Sequence, residues 1–225
     1  PQKWKETLLI KYLNNFDFGN INVVKHTWTE EPNYTSQVNF GVEKATSEWV
    51  TLFEFDDEYA NIWFKNVQTY VNAYSDVEVF LPIVVDVDNK GVFAGFTNEA
   101  TFAANFTQEI GVLTHETLLD YQNFQTSGMV IKKTTFVENG GFKPSFKLTY
   151  GYEFFLRLTN RSTRIMSIPK IGYKHINLRE GSIFWNYKNG DSKLTDNEVK
   201  FWIEQAKKEF YHTQDRNIKY EPQTV

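Results

Sequence analysis

Apolar residues recur along the chain with the period of a helix in some segments and with the period of a strand in others. Glycine, proline and polar turn residues separate these segments, as at Gly19 and Pro32. In chain order, the first half predicts a helix over 4–16 (Trp4, Leu8, Leu9, Tyr12 and Phe16), a strand over 21–24, a helix over 34–45, a strand over 49–55, a helix over 60–74 and a strand over 77–87.

The second half of the chain continues this alternation less regularly. It predicts a turn over 88–91 with a paired strand over 92–96, a loop-and-helix region over 98–121, a strand over 127–131, a helix over 148–158 and a strand over 165–175. The last helix, over 195–211, has the clearest start, because Thr195 and Glu198 form a capping-box pattern. The apolar stripe behind this cap predicts packing onto the body of the protein and consists of Val199, Trp202, Ile203, Ala206 and Phe210.

Alternating helices and strands favour an α/β sandwich with a mostly parallel sheet, in one domain that spans 1–225. The composition agrees, since 41% hydrophobic residues in a chain of 225 are enough for one sizeable core. A net charge of -4 with mixed signs argues against nucleic acid as a partner and against a polybasic membrane patch. The sequence has no apolar run long enough for a transmembrane segment, and its lack of cysteine fits a reducing, cytosolic compartment.

The segment FEFDDEY, over 53–59, places the carboxylates of Glu54, Asp56 and Asp57 at the end of a predicted strand. Residues two apart on a strand share a face, so Glu54 and Asp56 point the same way while Asp57 begins the turn. Carboxylates at the carboxyl end of a strand suit Mg²⁺ or Mn²⁺, which substrate phosphates and water then complete. The alternative is an acidic turn in solvent, which an acidic triplet by itself also describes.

Five motifs in order resemble those of the family-two glycosyltransferases of the GT-A fold. They are QVNFGV (37–42) with Ala45 as an Asn-x-Gly helix, TLFEFDD (51–57) as a strand ending in Asp-x-Asp-Asp, SGMVIKK (127–133) with FVENGGFK (136–143) as a strand and Gly-Gly-Phe turn, YEFFLRL (152–158) as the helix of the catalytic carboxylate, and YKH (173–175) with REGS (179–182) as the closing segment. The resemblance runs from about residue 3 to about residue 185. It implies a three-layer GT-A sandwich around a mostly parallel mixed sheet.

The resemblance also implies a reaction. A nucleotide-sugar donor would bind with Mn²⁺ or Mg²⁺, and its sugar would pass, with inversion, to a hydroxyl of a glycan, lipid or protein acceptor in surface-glycan synthesis. Such a pathway belongs to the cytosol of a bacterium or of a virus-infected host cell. Asp56 is expected as the main metal ligand and His175 as a further ligand or diphosphate contact, although a hydrogen-bonded histidine at a strand end is an equal alternative. The donor-binding residues implied by the motifs are Glu54, Asp56, Asp57, Asn39 and Arg179.

The catalytic base is the largest departure from the family pattern. The family places an acidic pair just before its catalytic helix, whereas this chain has Tyr150 and Gly151 there. Glu153 is the nearest carboxylate and is predicted as the base, but Arg157 at i+4 makes an ordinary helix ion pair an alternative. A catalytically weak or inactive domain that binds a sugar or nucleotide is therefore the second function considered.

Three further segments bear on the site. Lys25 to Trp28 stand where the family has acidic residues near the nucleotide, so the donor is not indicated by sequence. The segment 86–91 begins like a calcium loop but has Lys90 at a ligand position, which favours a hairpin turn. The aromatic and amide residues of 121–125 suit an acceptor pocket.

Overall fold

The computed structural model describes residues 11, 14–15, 17–26, 33–54, 56–99, 111–177, 179–180, 185 and 194–222. The chain divides into two compact units, Pro1–Pro32 and Asn33–Val225. The organisation of 1–225 as one domain stays a prediction. The apolar residues that predicted the helix over 4–16 lie outside the described residues, as do Thr27 and Trp28.

The first unit contains a turn where the sequence predicts one. Gly19 has a φ of 56°, and its backbone N–H donates to the Asp17 carboxylate over 2.8 Å. The predicted strand over 21–24 is wrong, because these residues have no strand pairing. Ile21 and Val24 are 69% and 65% exposed, so neither burial nor a neighbouring strand holds this apolar run in a ladder.

The second unit alternates helices and strands much as the apolar periodicity predicts. Its described helices are α1 (Tyr34–Lys44), α2 (Trp63–Ala73), α3 (His115–Asp120), α4 (Lys133–Glu138), α5 (Tyr150–Asn160) and α6 (Asp196–Glu209). Its described strands are β1 (Trp49–Thr51), β2 (Glu58–Tyr59), β3 (Val77–Val87), β4 (Phe93–Thr97), β5 (Val112–Leu113), β6 (Val130–Lys132) and β7 (Arg164–Ile176). Strand β1 begins where the strand over 49–55 was predicted to begin, but it ends four residues earlier, at Thr51. Strand β3 agrees with its prediction at both ends.

The seven strands form one mixed sheet with the order β1-β6-β3-β7-β2, to which β4 adds beside β3 and β5 beside β7. The prediction of a mostly parallel sheet is wrong. Only β3 and β7 pair in parallel, and the other five pairings are antiparallel. The physical reason is that β6 inserts antiparallel between β1 and β3, and β4 returns from β3 as a hairpin. Periodicity detects strands but carries no information about their direction.

Both faces of the sheet are covered by apolar residues. On one face, Trp63 and Val67 of α2 pack with Phe80 and Ile168 of the central strands. On the other face, α5 and α6 pack onto a larger cluster that includes Leu81. Phe80 and Leu81 lie on opposite faces because successive side chains of a strand point to opposite sides of the sheet. The sheet is therefore the middle layer of the second unit, with its strand ends free to carry a site.

Helix α6 begins where the sequence predicts. The Thr195 side chain accepts a hydrogen bond from the Glu198 backbone N–H over 3.1 Å. Its Trp202 and Ala206 are fully buried, and the Trp202 carbonyl accepts a 3.0 Å hydrogen bond from the Thr149 hydroxyl. The stripe along α6 thus contributes to the core beside α5.

Gly172 permits the close approach of α2 to strand β7. A Cβ at this position would lie 2.7 Å from Pro82 Cβ and closer still to the Trp63 ring. We expect Gly172→Ala to lower the free energy of unfolding by about 1–3 kcal/mol, because the fully buried indole has no room to move. Urea denaturation followed by circular dichroism measures this loss.

Gly95→Ala is the matched control, because Gly95 also lies in a strand but has no atom within 4 Å of the added Cβ. It is expected to leave the unfolding free energy within about 0.5 kcal/mol of the wild type. Equal effects of the two substitutions would contradict the packing argument.

Candidate functional site

Strand pairing brings three polar residues together at one edge of the sheet. Strand β2 pairs antiparallel with β7 through Glu58 and Lys174, and this register places the preceding Asp57 opposite His175. On the other side of β7, His175 pairs in parallel register with Asp86 of β3. Residues paired across neighbouring strands point to the same face, so His175 lies between two carboxylates.

The Asp57 carboxylate is the best-anchored member of the acidic segment. Its side chain is fully buried, and its oxygens lie 3.0 and 3.2 Å from His175 Nδ1. One oxygen also accepts a hydrogen bond from the Ile176 backbone N–H over 3.0 Å. The sequence predicted that Asp57 begins a turn and takes part in donor binding. Its N–H does donate to the Glu54 carbonyl over 3.2 Å, but the side chain points into the site.

Glu54 lies beside this pair and is held by two tyrosines. Its carboxylate accepts a 3.3 Å hydrogen bond from the Tyr34 hydroxyl, and its backbone N–H donates to the Tyr173 hydroxyl over 3.1 Å. Burial raises the pKa of Glu54, and the charge of Asp57 raises it further. Tyr173 was part of a motif found in the sequence, but the contacts of Tyr34 and Tyr173 with Glu54 were not predicted, because they join residues that are distant along the chain.

Burial and neighbouring carboxylates shift the pKa of His175 in opposite directions. Burial lowers its pKa, but the hydrogen bond and charge of Asp57, together with the charges of Glu54 and Asp86, outweigh burial and raise the pKa overall. The three carboxylates create a negative potential around the imidazole. A divalent cation would be favoured there for the same reason.

The donor set fits a divalent cation. One ligand atom each from Glu54, Asp57 and His175 lies within 4.8 Å of the others. An imidazole that hydrogen-bonds a carboxylate through one nitrogen can also offer its other nitrogen to a metal. Among the residues that the structure describes, this is the one group of three or more such side chains in that range.

Asp56, the predicted main metal ligand, lies outside this group. Its carboxylate forms an ion pair with the guanidinium of Arg179, which follows β7. The Asp56 and Arg179 side chains are 21% and 46% exposed, so this pair lies at the solvent side of the site. The roles of both residues in binding a donor stay predictions.

Asn39 and Glu153 lie in other surroundings. The Asn39 amide donates to the Phe142 carbonyl over 2.7 Å and accepts from the Phe142 N–H over 2.8 Å, which joins α1 to the Gly-Gly-Phe turn. Glu153 is fully buried in α5 and forms ion pairs with Lys143 at 2.8 Å and Arg157 at 2.7 Å. The base role of Glu153 stays a prediction, and its two cationic partners favour the ion-pair alternative.

Asp86 is the polar residue of this edge that sequence reasoning missed. The segment 86–91 does contain the predicted turn, in which the Asp88 carboxylate accepts from the Lys90 and Val92 N–H groups, both over 2.8 Å. Asp86 itself is the residue before the last of β3 and is 7% exposed, with its carboxylate 3.4 Å from the Gln125 amide nitrogen. Burial raises the pKa of Asp86, while the charge of His175 lowers it. A search for acidic residues at strand ends would have found it.

A cleft of about 540 Å³ opens beside the acidic group, between α1 and β1. Its lining includes Tyr34, Gln37 and Phe53, of which Tyr34 also contacts Glu54. Phe53 is 58% exposed and stacks on Tyr59 with ring centroids 5.0 Å apart. The cleft is large enough for a small-molecule ligand.

The described helices include none long and apolar enough to cross a membrane.

Comparison with known proteins gives a structural match without a sequence match. No family model matches the chain, and no curated protein matches it. The solved structure of residues 1–349 of S. aureus TarS in complex with UDP-GlcNAc matches with a TM-score of 0.55 and 16% identity, over 79% of this chain and 47% of that chain. A second crystal structure of residues 1–349 of S. aureus TarS matches with a TM-score of 0.51 and 14% identity, over 76% of this chain and 47% of that one.

The chain thus spans about half the length of the TarS fragment that it matches. At these identities the likeness concerns the fold. The arrangement of helices around a curled mixed sheet is the shared property, and the resemblance first indicated by the order of five motifs is confirmed at that level. This chain has a fold similar to that of S. aureus TarS, a glycosyltransferase of the GT-A family.

Proposed function

We propose that the chain is a metal-dependent transferase that moves a sugar from a nucleotide-sugar donor to an acceptor hydroxyl. The observation that carries this proposal is the group of Glu54, Asp57 and His175 at one edge of a GT-A-like sheet. Open α/β sheets bind ligands outside the carboxyl ends of their strands, and β3 and β7 both end at this group. The three side chains supply the mixed oxygen and nitrogen donors that a divalent cation requires.

Glu54, Asp57 and His175 would hold the cation, and Mn²⁺ suits this set better than Mg²⁺ because one donor is an imidazole nitrogen. When bound, the cation would neutralise charge on the departing nucleoside diphosphate. Asp57 is buried and orients the partly exposed His175 through its hydrogen bond. Asp56 remains a proposed second carboxylate at the mouth of the site.

Arg179 is placed to bind the diphosphate. Its guanidinium is 46% exposed and pairs with Asp56, so it can exchange one anionic partner for another at little desolvation cost. Asn39 would affect donor binding only indirectly, by holding the Gly-Gly-Phe turn in place through its hydrogen bonds with Phe142. The cleft between α1 and β1 is the proposed place of the nucleoside, since it adjoins Glu54 and offers the exposed ring of Phe53 for stacking.

UDP-GlcNAc is the first donor to test, because a TarS structure of similar fold was solved with it. The proposed acceptor is a glycan, lipid or protein hydroxyl in surface-glycan synthesis, with inversion at the sugar. We expect calorimetry to detect binding of UDP-GlcNAc, or of another member of a panel of UDP-, GDP- and dTDP-sugars, in the presence of Mn²⁺. Chelation by EDTA should lower the affinity at least about tenfold.

A nucleotide-release assay on the same samples tests the reaction itself. Release of nucleoside diphosphate that depends on Mn²⁺ supports the transferase. No metal-dependent binding of any member of the panel would argue against the site as described.

A catalytically inactive domain that binds a nucleotide or sugar is the second candidate. The observation that favours it is the burial of Glu153 between Lys143 and Arg157, together with Tyr150 and Gly151 at the family's acidic positions. Metal-dependent binding without release of nucleoside diphosphate would support this candidate over the transferase.

A further inference from the structure

We propose that Asp86 is the general base that takes the proton of the acceptor hydroxyl, with Gln125 as the residue that orients its carboxylate. The inference rests on the proposed transferase function and assigns the step for which the motifs offer no well-placed carboxylate. It also locates the acceptor hydroxyl, at the end of β3 beside the loop that contains Gln125.

The first argument is position. Asp86 pairs in register with His175, so its side chain shares the sheet face on which Asp57 and His175 meet. A base must lie near the donor's reacting carbon but apart from the groups that bind its diphosphate. Asp86 meets the second condition, because it lies across His175 from Asp57 and is not one of the three side chains within 4.8 Å of one another, and its register with His175 keeps it next to that group.

The second argument is availability. Within the described ranges, Asp86 forms no ion pair with a lysine or arginine; the neutral side chains of Gln125 and Thr97 contact its carboxylate, and the charge of His175 acts on it from the neighbouring strand. Glu153, in contrast, has a cation on each side. A carboxylate neutralised by two buried cations is a poor proton acceptor, and Asp86 has no such pair of cations.

The third argument is the fixed orientation of Gln125. Its carbonyl oxygen accepts from the Ser127 hydroxyl over 3.1 Å, which leaves its amide nitrogen facing Asp86 and the hydroxyl of Thr97. Its backbone N–H donates over 2.8 Å to the side chain of Asn98, which is fully buried and has a φ of 64°. These hydrogen bonds fix the loop at the end of β3, where the Gln125 amide contacts one Asp86 oxygen.

The step balances without another reactant. The acceptor oxygen forms a bond to the anomeric carbon while the bond from that carbon to the diphosphate oxygen breaks. The electron pair of the broken bond leaves with the nucleoside diphosphate, and the acceptor proton passes to the Asp86 carboxylate. Water can replace the acceptor hydroxyl in the same step, which makes donor hydrolysis a usable assay.

Asp86→Ala tests the assignment in the full chain with Mn²⁺ and UDP-GlcNAc, or with the donor of highest turnover in the panel. We expect hydrolysis to fall about 100-fold or more, the usual contribution of a general base, while the Kd for the donor changes less than about threefold. Sodium azide should then restore release of the nucleoside diphosphate, with glycosyl azide as the product, because the azide anion attacks without losing a proton. Asp88→Asn, two residues along the same hairpin, is the control and should hydrolyse the donor like the wild type.

Three outcomes would overturn the assignment. Hydrolysis by Asp86→Ala at the wild-type rate would show that the base lies elsewhere. Loss of donor affinity in proportion to turnover, without rescue by azide, would show that Asp86 only positions His175. A wild-type chain that releases no nucleoside diphosphate, with or without azide, would refute both the proposed transferase function and the assignment of the base. The first two outcomes, in contrast, would refute only the assignment of Asp86, because the wild-type chain remains active in them.

Discussion

Asp57→Asn is expected to lower the affinity for Mn²⁺ by at least about 10- to 100-fold and to lower donor turnover by a similar or larger factor. The substitution removes the charge of a fully buried carboxylate that contacts His175 at 3.0 Å and lies in the candidate metal group. Calorimetric titration with Mn²⁺ in the presence of UDP measures the first effect. The nucleotide-release assay measures the second.

Asp56→Asn is the informative comparison, because the sequence predicts Asp56 as the main metal ligand whereas the structure places Asp57 in the candidate metal group. The structure pairs Asp56 with Arg179 at the solvent side of the site, so we expect a smaller loss than at Asp57. Asp76→Asn, at the far end of β3 in an exposed pair with Arg164, should change neither quantity. If Asp56→Asn abolished metal binding and Asp57→Asn did not, the motif-based prediction would hold and the structural assignment would be wrong. Thermal melting without metal checks that Asp57→Asn remains folded.

Glu153→Leu is expected to lower the free energy of unfolding by about 3–5 kcal/mol, because it leaves two buried cations without their counter-ion. Lys143 and Arg157 are 1% and 0% exposed, and both also donate to backbone carbonyls in their present positions. Burial lowers the pKa of Lys143, while the charge of Glu153 raises it, so loss of Glu153 favours the neutral amine. Urea denaturation at neutral pH measures the change.

Glu58→Gln is the matched control, since it removes an exposed ion pair with Lys174 of nearly the same length, 3.0 Å. Surface pairs contribute about 0–1 kcal/mol, so a small effect is expected there. Glu153→Gln adds a test of function. A folded Glu153→Gln variant with normal stability and no turnover would support the base predicted from sequence and contradict the structural role.

Much of the fold was predictable because it depends on local patterns. Strand β3 has an uninterrupted apolar run with turn residues after it, and its predicted ends agree with the structure. Helix α6 has a capping threonine and a buried stripe. The parallel sheet was wrong because strand direction depends on which strands become neighbours, and β6 enters the sheet between β1 and β3.

The candidate site was predictable in part. The acidic segment over 53–59 and His175 could be found as motifs, and the structure brings Glu54, Asp57 and His175 together. The choice among the adjacent acids could not be made in this way, because it depends on which side chain faces β7 after the turn. Asp86 could be noticed as an acidic residue near a strand end but not assigned to the site, since the strand pairing that places it beside His175 spans almost ninety residues.

By itself, the sequence determined where helices and strands form, which faces they bury, and that carboxylates gather after β1 in a GT-A-like order of motifs. These properties follow from side-chain period, capping and turn chemistry, which act over a few residues. The tertiary structure alone decided that Asp57 rather than Asp56 meets His175, that Glu153 is enclosed by Lys143 and Arg157, and that Asp86 faces the site. Each of these depends on the register between distant strands or on the packing of α5, where a shift of one residue turns a side chain to the other face.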